Sequence, residues 1–468
     1  MMVFEYKSSI FIVDAGIMFP ENYMLGIDVV IPNMDYVKQN KEKVAGIILT
    51  HAHEDHIGAL PYLLRDVQVP VFGTPFTLGM VRYKLEQHNL LSTASLYEIN
   101  PRKRLKIDPF EMDFIRVSHS VVDCVGIAIR TPVGLVIHTG DFNINHTCPN
   151  GMITDLNKFA QCGEEGVLAL LSDSTNAEKE GYTISSKEVQ DRLEQLIEKS
   201  PGRIIVALFA SNINRIQCIV DIAKKLECKI IFNGRSLETS IKIAKKLGYI
   251  YLPENIEIDI DTLGDYQNDK VVIVTTGSQG EPMSSLSRMA TGIHKYVKIK
   301  EGDTIILSSN FIPGNEKSIA KIINNLYRRG ADVIYEKISE VHVSGHGFRE
   351  ELKLMINITK PKYFIPIHGE YRHLVQHARL AANIGIRKDR IFLAVSGQTI
   401  EFDENGGRIG KSIDTRRVLV DGKGIGDVGK NVLKERRALS EDGVVAVIIA
   451  LDEETGIVVY GPVILSRG

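Results

Sequence analysis

Hydrophobic residues follow two different patterns along this chain, and the pattern changes near residue 185. Before that point short apolar runs of β-like composition predominate, and one clear helical stretch, around 76–90, interrupts them. The runs lie at 10–13, 44–49, 112–117, 125–131, 134–138 and 167–171. Many short strands with few helices favour two packed sheets covered by helices, an αββα sandwich.

From Ser185 onward, predicted strands alternate with amphipathic helices. Ser185 and Glu188 have the spacing of a capping box at a helix N-terminus. The predicted strands that follow are 203–209, 229–232, 271–275, 304–308 and 332–335, and the predicted helices are 212–226, 236–247 and 316–329. This alternation predicts a parallel sheet with both faces covered. The first strand is not followed by the glycine pattern of a dinucleotide site.

The densest chemical signal is a cluster of metal-ligand residues at 51–56. His51, His53, Asp55 and His56 come directly after the apolar run 44–49, so they leave the end of a predicted strand. Imidazole nitrogen and carboxylate oxygen are ligands that Zn²⁺ prefers. The spacing lets the first two residues face one ion and the last two face a second. Glu54 is left out because its neighbours already complete both sets.

Three distant residues supply the partners that such a pair of ions needs. His119, Asp141 and His368 each follow a short apolar or β-branched run, so each can lie on a loop at a strand end. His138 lies within an apolar run and is interpreted as a buried, satisfied histidine. A solvated polar loop is the alternative interpretation of 51–56, but it does not explain these partners.

The position of His368 predicts an interrupted fold. It lies beyond the whole alternating segment, yet it completes the metal set begun at His51. The alternating segment is therefore expected to be an insertion into the metal-binding domain. The expected domains are 1–185 (metal-binding domain, first part), 186–357 (inserted domain), 358–427 (metal-binding domain, second part) and 428–468 (linker and beginning of a C-terminal domain).

Composition sets broad limits on the class of protein. The chain has 468 residues, 44% of them hydrophobic and 24% charged, which is typical of a soluble globular protein with more than one domain. Its net charge of −2 neither favours nor excludes RNA. Five scattered cysteines without C-x-x-C spacing indicate reduced thiols. With no signal peptide and no apolar run of about 20 residues, we expect a cytoplasmic protein without a membrane partner.

Four polar segments carry groups suited to a phosphate. They are 172–176 (SDSTN), 209–212 (FASN), 277–283 (GSQGEPM) and 342–347 (HVSGHG). The second ends a predicted strand and opens a helix, where backbone N–H groups can bind an anion. The glycines of the fourth let backbone N–H groups approach a ligand.

The order of these motifs resembles the metallo-β-lactamase superfamily, and the α/β insertion resembles its β-CASP branch of nucleases. The strings VDAGIMFP, LTHAHEDHIGALPY, HTGDF, SDSTNA, FASN, GSQGEPM, HVSGHG and PIHGE resemble the ribonuclease J family over nearly the whole chain. The resemblance implies an α/β fold, a metallo-β-lactamase αββα sandwich interrupted by an inserted α/β β-CASP domain.

The resemblance also implies a set of ligands and catalytic residues. One ion is held by His51, His53 and His119, the other by Asp55, His56 and His368, and Asp141 bridges them. Asp14 orients ligands. The implied catalytic set is Asp55, His56, Asp173 and His346, in which His346 is the general acid and Asp173 its acidic partner. The implied substrate contacts are Ser211, Asn212, His342, Ser344 and His346.

The implied cofactors are two divalent ions, with Zn²⁺ expected first and Mn²⁺ or Mg²⁺ as alternatives. A structural Ca²⁺ is also expected, held by Asp421 and by backbone oxygens near Leu25 and Ile27. Compared with the family pattern, we expect the chain to lack an opening strand and most of the C-terminal domain, which bears on dimerisation and activity.

The implied function is a two-metal ribonuclease. It would act as a 5′→3′ exonuclease on 5′-monophosphorylated RNA, with endonuclease cleavage as a second mode, in RNA decay and in rRNA and mRNA maturation. The implied partners are RNA, further copies of the chain in its full-length form, and proteins of an RNA-degradation complex. Two alternatives stay open: a small-molecule hydrolase of the thioesterase kind, and a fragment that binds RNA without cleaving it.

Overall fold

The protein is described from a computed structural model. The described residues are 1–21, 23–147, 151–281, 283–309, 311, 314–336, 338, 341–422 and 424–467. The strands before the insertion are β1 (Met2–Tyr6), β2 (Ser9–Val13), β3 (Val29–Ile31), β4 (Val44–Ile48), β5 (Val71–Gly73), β6 (Leu96–Glu98), β7 (Arg104–Ile107), β8 (Phe110–Arg116), β9 (Val125–Thr131), β10 (Gly134–His138) and β11 (Val167–Asp173). The helices there are α1 (Asp35–Gln39), α2 (Glu54–Ile57), α3 (Leu60–Asp66), α4 (Pro75–Gln87) and α5 (Leu156–Glu165).

The rest of the chain continues the alternation and then returns to the first sheets. Its helices are α6 (Ser186–Glu198), α7 (Ile213–Lys225), α8 (Arg235–Lys246), α9 (Ser285–Thr291), α10 (Glu316–Tyr327), α11 (Arg349–Thr359), α12 (Tyr371–Asn383) and α13 (Lys430–Asp442). Its strands are β12 (Ile204–Ala207), β13 (Lys229–Asn233), β14 (Val271–Thr275), β15 (Thr304–Leu307), β16 (Asp332–Ile334), β17 (Tyr363–Ile367), β18 (Gln398–Asp403), β19 (Gly406–Ser412), β20 (Val418–Asp421), β21 (Gly424–Ile425), β22 (Val444–Leu451) and β23 (Val458–Arg467).

Two sheets packed face to face form the sandwich. Their strand orders are β1-β2-β4-β5-β6 and β17-β11-β10-β9-β8-β7. Strand β2 shows why its apolar run is continuous: Phe11 and Val13 pack between the sheets, whereas Ile10 and Ile12 pack under the helices. Because side chains alternate along a strand, a strand buried on both faces needs apolar residues at every position.

The inserted segment forms a separate parallel sheet, as the alternation predicts. Its strand order is β13-β14-β12-β15-β16, and every pair in it is parallel. One face packs against α6, α7 and α8, the other against α9 and α10. The chain then returns to the sandwich, where β17 pairs with β11 in parallel, with Asp173 opposite Ile367.

The predicted domain boundaries correspond only partly to element ends. The boundary after residue 185 coincides with Ser185, whose side chain caps α6. The boundary after residue 357 falls inside α11, a helix that packs against α5 and β11 of the sandwich. These boundaries, and the one after residue 427, stay predictions.

Two further features bear on the compositional predictions. Cys124, Cys162, Cys218 and Cys228 are buried and free, and the fifth cysteine, Cys148, lies outside the described residues. Among the helices of the described segments, none combines the length and apolarity that crossing a bilayer requires.

A buried carboxylate ties the second sheet to its covering helix. Asp113 on β8 lies 2.9 Å from Arg104 Nε, 2.8 Å from Arg130 Nη1 and 3.3 Å from Lys158 Nζ of α5. Burial alone would raise the pKa of Asp113. The hydrogen bonds and charges of these three side chains outweigh burial and hold the pKa well below its usual range.

We predict that Asp113→Asn lowers the free energy of unfolding by about 2 kcal/mol at pH 7, because three cations lose a buried partner, although Arg104 and Arg130 keep Glu111 and Glu165. Since the folded-state pKa is depressed, the stabilisation is present above the unfolded pKa of about 4 and is lost as pH falls below it. Urea unfolding at several pH values measures both effects. Glu111→Gln, which removes an exposed partner of Arg104 and Lys106, should leave stability nearly unchanged. An Asp113→Asn variant as stable as the unmodified chain at pH 7 would contradict this account.

Candidate metal centre and active site

Strand direction brings the predicted ligands to one edge of the sandwich. Strands β10, β11 and β17 run parallel, and β8 has the same direction because two antiparallel pairings separate it from β10. The loops after β8, β10 and β17 carry His119, Asp141 and His368, and Asp173 is the last residue of β11. The segment 51–56 follows β4 in the facing sheet. Because the carboxyl ends of these strands lie at the same edge of the sandwich, the loops that follow them lie close together.

All seven predicted metal ligands lie in one cluster around Asp141. Its Oδ2 lies 3.2 Å from Nε2 of both His56 and His368, 3.7 Å from His51 Nε2 and 3.9 Å from His119 Nε2. The ligand atoms form three overlapping groups, each within 4.8 Å: His51, His53 and His119; His51, His56 and Asp141; Asp55, His56 and His368. Asp141 therefore lies between the two ligand sets that the family resemblance implies.

The first half of the cluster suits a metal ion because its imidazoles are neutral. His53 Nδ1 lies 3.0 Å from His51 Nε2 and 3.2 Å from His119 Nε2, so three ring nitrogens converge. Burial is the main cause that lowers the pKa of His53 to about 4 and of His119 to about 3, and neighbouring imidazoles add to it. Ligation needs deprotonated imidazole, so these rings are prepared to bind a metal.

The second half of the cluster carries an excess of negative charge. Burial lowers the pKa of His368, but the carboxylates of Asp141 and Asp173 outweigh it and raise the pKa to about 9. The field at this place therefore favours positive charge, whether a proton or a metal ion. His56 Nε2 is buried and faces two carboxylate oxygens, Asp141 Oδ2 at 3.2 Å and Asp55 Oδ2 at 3.6 Å, without hydrogen-bond geometry to either. A nitrogen in that state fits a metal ligand, so these residues suit a second divalent ion.

Neighbouring groups hold the ligand rings in place. His56 Nδ1 donates to Asp14 Oδ2 over 2.7 Å, and Asp14 also accepts hydrogen bonds of 2.8 Å from the backbone N–H and the hydroxyl of Thr50. His119 Nδ1 donates to the carbonyl of Gly345 over 2.7 Å. Each bond leaves Nε2 of the histidine facing the cluster, as partners of metal-bound histidines do.

Close backbone approach explains two glycines of the motifs. A Cβ at Gly16 would lie 1.5 Å from the carbonyl oxygen of Asp55, and a Cβ at Gly345 would lie 2.6 Å from the His119 ring. Side chains at either position would displace ligand-bearing loops. Glycine is therefore required where these segments meet.

Asp173 and His346 form a hydrogen-bonded pair beside the metal ligands. His346 Nδ1 donates to Asp173 Oδ2 over 2.7 Å, and Thr175 donates to Asp173 Oδ1 from its backbone N–H and its hydroxyl. The His346 ring stacks on His368 at 5.6 Å between centroids. Burial lowers the pKa of His346, but the charge and hydrogen bond of Asp173 outweigh it and raise that pKa. A protonated ring can donate a proton from Nε2.

The predicted substrate contacts lie where the inserted domain meets the sandwich. Asn212 caps α7 and accepts from the Arg215 backbone N–H over 3.1 Å, and half-buried Ser211 precedes it. Ser344 Oγ accepts from the His346 N–H over 3.2 Å. His342 Nδ1 donates to a backbone carbonyl. Asn212 and Ser344 line one cavity, and His119 forms part of its wall.

The predicted Ca²⁺ position already contains a positive group. Arg436 Nη1 donates to the carbonyl of Leu25 over 3.0 Å, and Nη2 pairs with the Asp421 carboxylate. The guanidinium thus binds two of the three expected oxygen ligands, the Leu25 carbonyl and the Asp421 carboxylate. The third residue, Ile27, is buried. The Ca²⁺ site stays a prediction, in which the ion would have to share these oxygens with Arg436.

One residue near the site, Glu351, has no sequence pattern that would identify it as important. Glu351 on α11 is fully buried, and its carboxylate accepts hydrogen bonds from the backbone N–H groups of Ile144, Thr183 and Phe348. It thereby joins the loops that carry Asp141 and His346. A single acidic residue in an amphipathic helix gives no sequence signal.

Glu54 and His138, which the sequence analysis did not include among the metal ligands, have other partners. Glu54 pairs with Lys84, and His138 Nδ1 accepts a hydrogen bond from the Gly140 N–H.

Models of four protein families match successive parts of the chain. They are described as Metallo-beta-lactamase superfamily at residues 1–207, Ribonuclease J beta-CASP domain at 201–326, Zn-dependent metallo-hydrolase RNA specificity domain at 330–391, and Ribonuclease J C-terminal domain at 431–468. Their order agrees with a sandwich that an inserted domain interrupts.

Individual relatives match over the full chain. Ribonuclease J 1 of Streptococcus pyogenes is 46% identical, with 99% of this chain and 83% of the relative covered. Ribonuclease J2 of Bacillus subtilis is 43% identical and Ribonuclease J 2 of Staphylococcus aureus 40%, each over 100% of this chain and 84% of the relative. A crystal structure of an Enterococcus faecalis protein of unknown function has a TM-score of 0.57 at 15% identity, covering 87% of this chain and 95% of that one, and supports the fold alone. Taken with the ligand cluster, these matches show that the chain belongs to the ribonuclease J family, a metallo-β-lactamase fold with an inserted β-CASP domain.

Proposed function

We propose that this chain hydrolyses RNA phosphodiesters with the help of two divalent metal ions. Its membership in the ribonuclease J family supports a metal-dependent ribonuclease. The observation that carries the proposal is the convergence of seven ligand side chains and the Asp173–His346 pair at one edge of the sandwich.

The proposed ligand sets are those that the family resemblance implies. His51, His53 and His119 would hold one ion, Asp55, His56 and His368 the other, and Asp141 would contact both. When bound, such ions supply an activated water and neutralise charge on the phosphate. Nitrogen and oxygen ligands suit Zn²⁺ first, and Mn²⁺ or Mg²⁺ as alternatives.

The protein's own residues then position the substrate and move a proton. The hydrogen bond to Asp173 fixes the His346 ring so that its Nε2 faces the cluster. Protonated at that nitrogen, His346 donates to the leaving 3′ oxygen as general acid. Asp173 keeps its own charge and stabilises the imidazolium, because Thr175 and His346 together satisfy its oxygens.

The cavity beside His119 supports a preference for RNA 5′ ends. It is lined by Asn212 at the N-terminus of α7 and by Ser344, groups that can donate hydrogen bonds to a phosphate. A 5′ phosphate held there places the adjoining linkage near the metal ligands. We therefore propose 5′→3′ exonuclease action on 5′-monophosphorylated RNA, with endonuclease cleavage as a second mode.

The biological setting is proposed on the same basis. RNA decay and rRNA and mRNA maturation are the processes in which such an enzyme would act, in the cytoplasm. Self-association of the full-length form and binding to other RNA-degradation proteins stay predictions. A thioesterase would not need the phosphate-suited cavity, and a non-cleaving fragment would not need the complete ligand set and the Asp173–His346 pair.

The proposal predicts release of mononucleotides from 5′-monophosphorylated RNA in the presence of Mn²⁺. A matched 5′-triphosphorylated RNA should be degraded at least about tenfold more slowly, since a larger terminal group fits the cavity less well. EDTA should abolish both reactions because the ions supply the nucleophile. Chromatography of labelled products measures the outcome. Hydrolysis of a thioester but not of RNA, or RNA binding without cleavage, would reject the proposal.

A second prediction concerns the general acid. His346→Ala should lower kcat by about 10²–10⁴-fold, the range expected for loss of general acid catalysis, while the metal content stays unchanged. Mass spectrometry of the bound metals and single-turnover cleavage measure these quantities. His88→Ala, at the end of α4 and outside the cluster, is the control and should cleave normally. Unchanged turnover in His346→Ala would show that another group protonates the leaving oxygen.

A further inference from the structure

Three segments of the chain meet at the side chain of Glu351. This residue lies in the first turn of α11 and is fully buried. Its Oε1 accepts hydrogen bonds from the Ile144 backbone N–H over 2.7 Å and from the Thr183 hydroxyl over 3.0 Å. Its Oε2 accepts from the backbone N–H groups of Thr183 over 2.9 Å and Phe348 over 2.8 Å. Because all four groups donate to it, a carboxylate suits this position and an amide does not.

Capping of α11 accounts for one of these four bonds. Glu351 is the third residue of the helix and Phe348 is its N-cap, so the bond from the Phe348 N–H is half of a capping box. The bonds from Ile144 and Thr183 come from other segments, and all four donors are neutral groups. Burying a carboxylate among neutral donors is costly, and capping alone does not require it. The position of this carboxylate therefore indicates a role beyond the helix.

Two of the partners lie beside the proposed reacting groups. Ile144 follows the proposed bridging ligand Asp141 by three residues, and Phe348 follows His346 by two. Over such short intervals a shift of the backbone is passed on to the side chain. Glu351 therefore fixes the separation between the loop of a metal ligand and the loop of the proposed general acid.

The third partner lies where the chain enters the inserted domain. Thr183 precedes α6, the first helix of that domain, which begins at Ser186. Phe348 directly precedes α11, which packs against α5 and β11 of the sandwich. Glu351 thus joins the segment that leaves the sandwich to the segment that returns to it. Because His346 lies on the returning segment, this junction determines where its ring stands.

We propose that Glu351 is a positioning residue for the proposed general acid His346. This inference rests on the proposed function and names the group that aligns the acid with the metal ligands. In that reaction water forms a bond to phosphorus, the bond from phosphorus to the 3′ oxygen breaks, and the proton of His346 Nε2 goes to that oxygen. Proton transfer needs the two atoms within hydrogen-bond distance, and a displacement of about 1 Å costs about 100-fold in rate.

A change of leaving group tests this role separately from metal and RNA binding. Two 5′-monophosphorylated RNA oligonucleotides are identical except at the first linkage, which contains either the natural 3′ oxygen or a sulfur in its place. A thiol has a pKa of about 8.5, far below that of an alcohol, so sulfur leaves as a thiolate without a proton from an acid. Single-turnover cleavage in the presence of Mn²⁺ gives the rate for each substrate with the unmodified chain, Glu351→Gln and His346→Ala.

Glu351→Gln should lower the rate with the oxygen substrate by about 100-fold and the rate with the sulfur substrate by less than about threefold. The amide replaces one acceptor oxygen by an N–H₂ donor, which repels the backbone N–H groups and moves the loops apart. His346→Ala should show the same selectivity. The content of bound metal, measured by mass spectrometry, and the Kd for an uncleavable RNA should stay unchanged in Glu351→Gln.

Glu350→Gln is the matched control. Glu350 is the preceding residue of the same helix turn, is partly exposed, and pairs with Lys353 at 2.6 Å. This variant should cleave both substrates as the unmodified chain does. Comparing the two substrates within one preparation cancels any difference in the folded fraction. If Glu351→Gln does not fold, as judged by circular dichroism, Glu351→Asp decides; it keeps the charge, is one methylene too short to reach all three segments, and should show the same selectivity.

The outcomes distinguish this inference from the proposed function. A folded Glu351 variant that loses both rates equally, loses bound metal or keeps the full rate would overturn the positioning role while the unmodified chain still cleaves both substrates. A loss confined to the oxygen substrate supports it, because weaker folding or metal binding lowers both rates alike. An unmodified chain that cleaves neither substrate would reject the proposed function, and this inference with it.

Discussion

The Asp141 carboxylate connects the two parts of an interrupted fold. Its Oδ2 lies 3.2 Å from His56, which follows β4, and 3.2 Å from His368, which follows β17 on the far side of the insertion. These contacts exist only if β17 pairs with β11 in the observed register, since Ile367, the last residue of β17, lies opposite Asp173. The architecture of the sandwich is therefore a condition for the metal centre, and the inserted sheet must leave that pairing undisturbed.

The electrostatics of the cluster divide it into two unlike halves. Burial keeps His53 and His119 neutral, whereas carboxylates raise the pKa of His368. The same carboxylate field extends to His346, whose pKa Asp173 raises. One edge of the sandwich thus combines neutral imidazoles with histidines whose pKa is raised. The proposed reaction depends on this combination, because it needs both metal ligands and a proton donor.

Sequence patterns predicted the parts of the structure that depend on dense or periodic signals. The ligands between His51 and His56 are recognisable because five of these six residues are metal-ligand types. The inserted sheet is recognisable because its apolar runs alternate with segments of helical periodicity. Helix α5, with 10 residues, and strands β5 and β6, with 3 residues each, were not predicted, because segments this short contain too few positions for a clear periodic signal. The boundary after residue 357 falls inside α11 for a different reason: chain order places this helix with the inserted segment, whereas it packs on the sandwich.

Other features depend on distant contacts that a single sequence does not encode visibly. Arg215 and Asn143 line one cavity only because α7 and the loop after β10 meet in space. The contact of Arg436 with Leu25 and Asp421 brings a cation from α13 to a place where the family resemblance suggested Ca²⁺. A lone arginine in a helix has no characteristic pattern. Such residues become apparent when burial and hydrogen bonds are known.

The most direct test of the account is a crystal structure of the metal-loaded protein with anomalous diffraction collected at the metal absorption edge. The account predicts two peaks per chain about 3.5–4 Å apart, both in contact with Asp141, with His51, His53 and His119 on one and Asp55, His56 and His368 on the other. A single peak, or two peaks with His368 bound to neither, would contradict the claim that both parts of the interrupted fold build one metal centre.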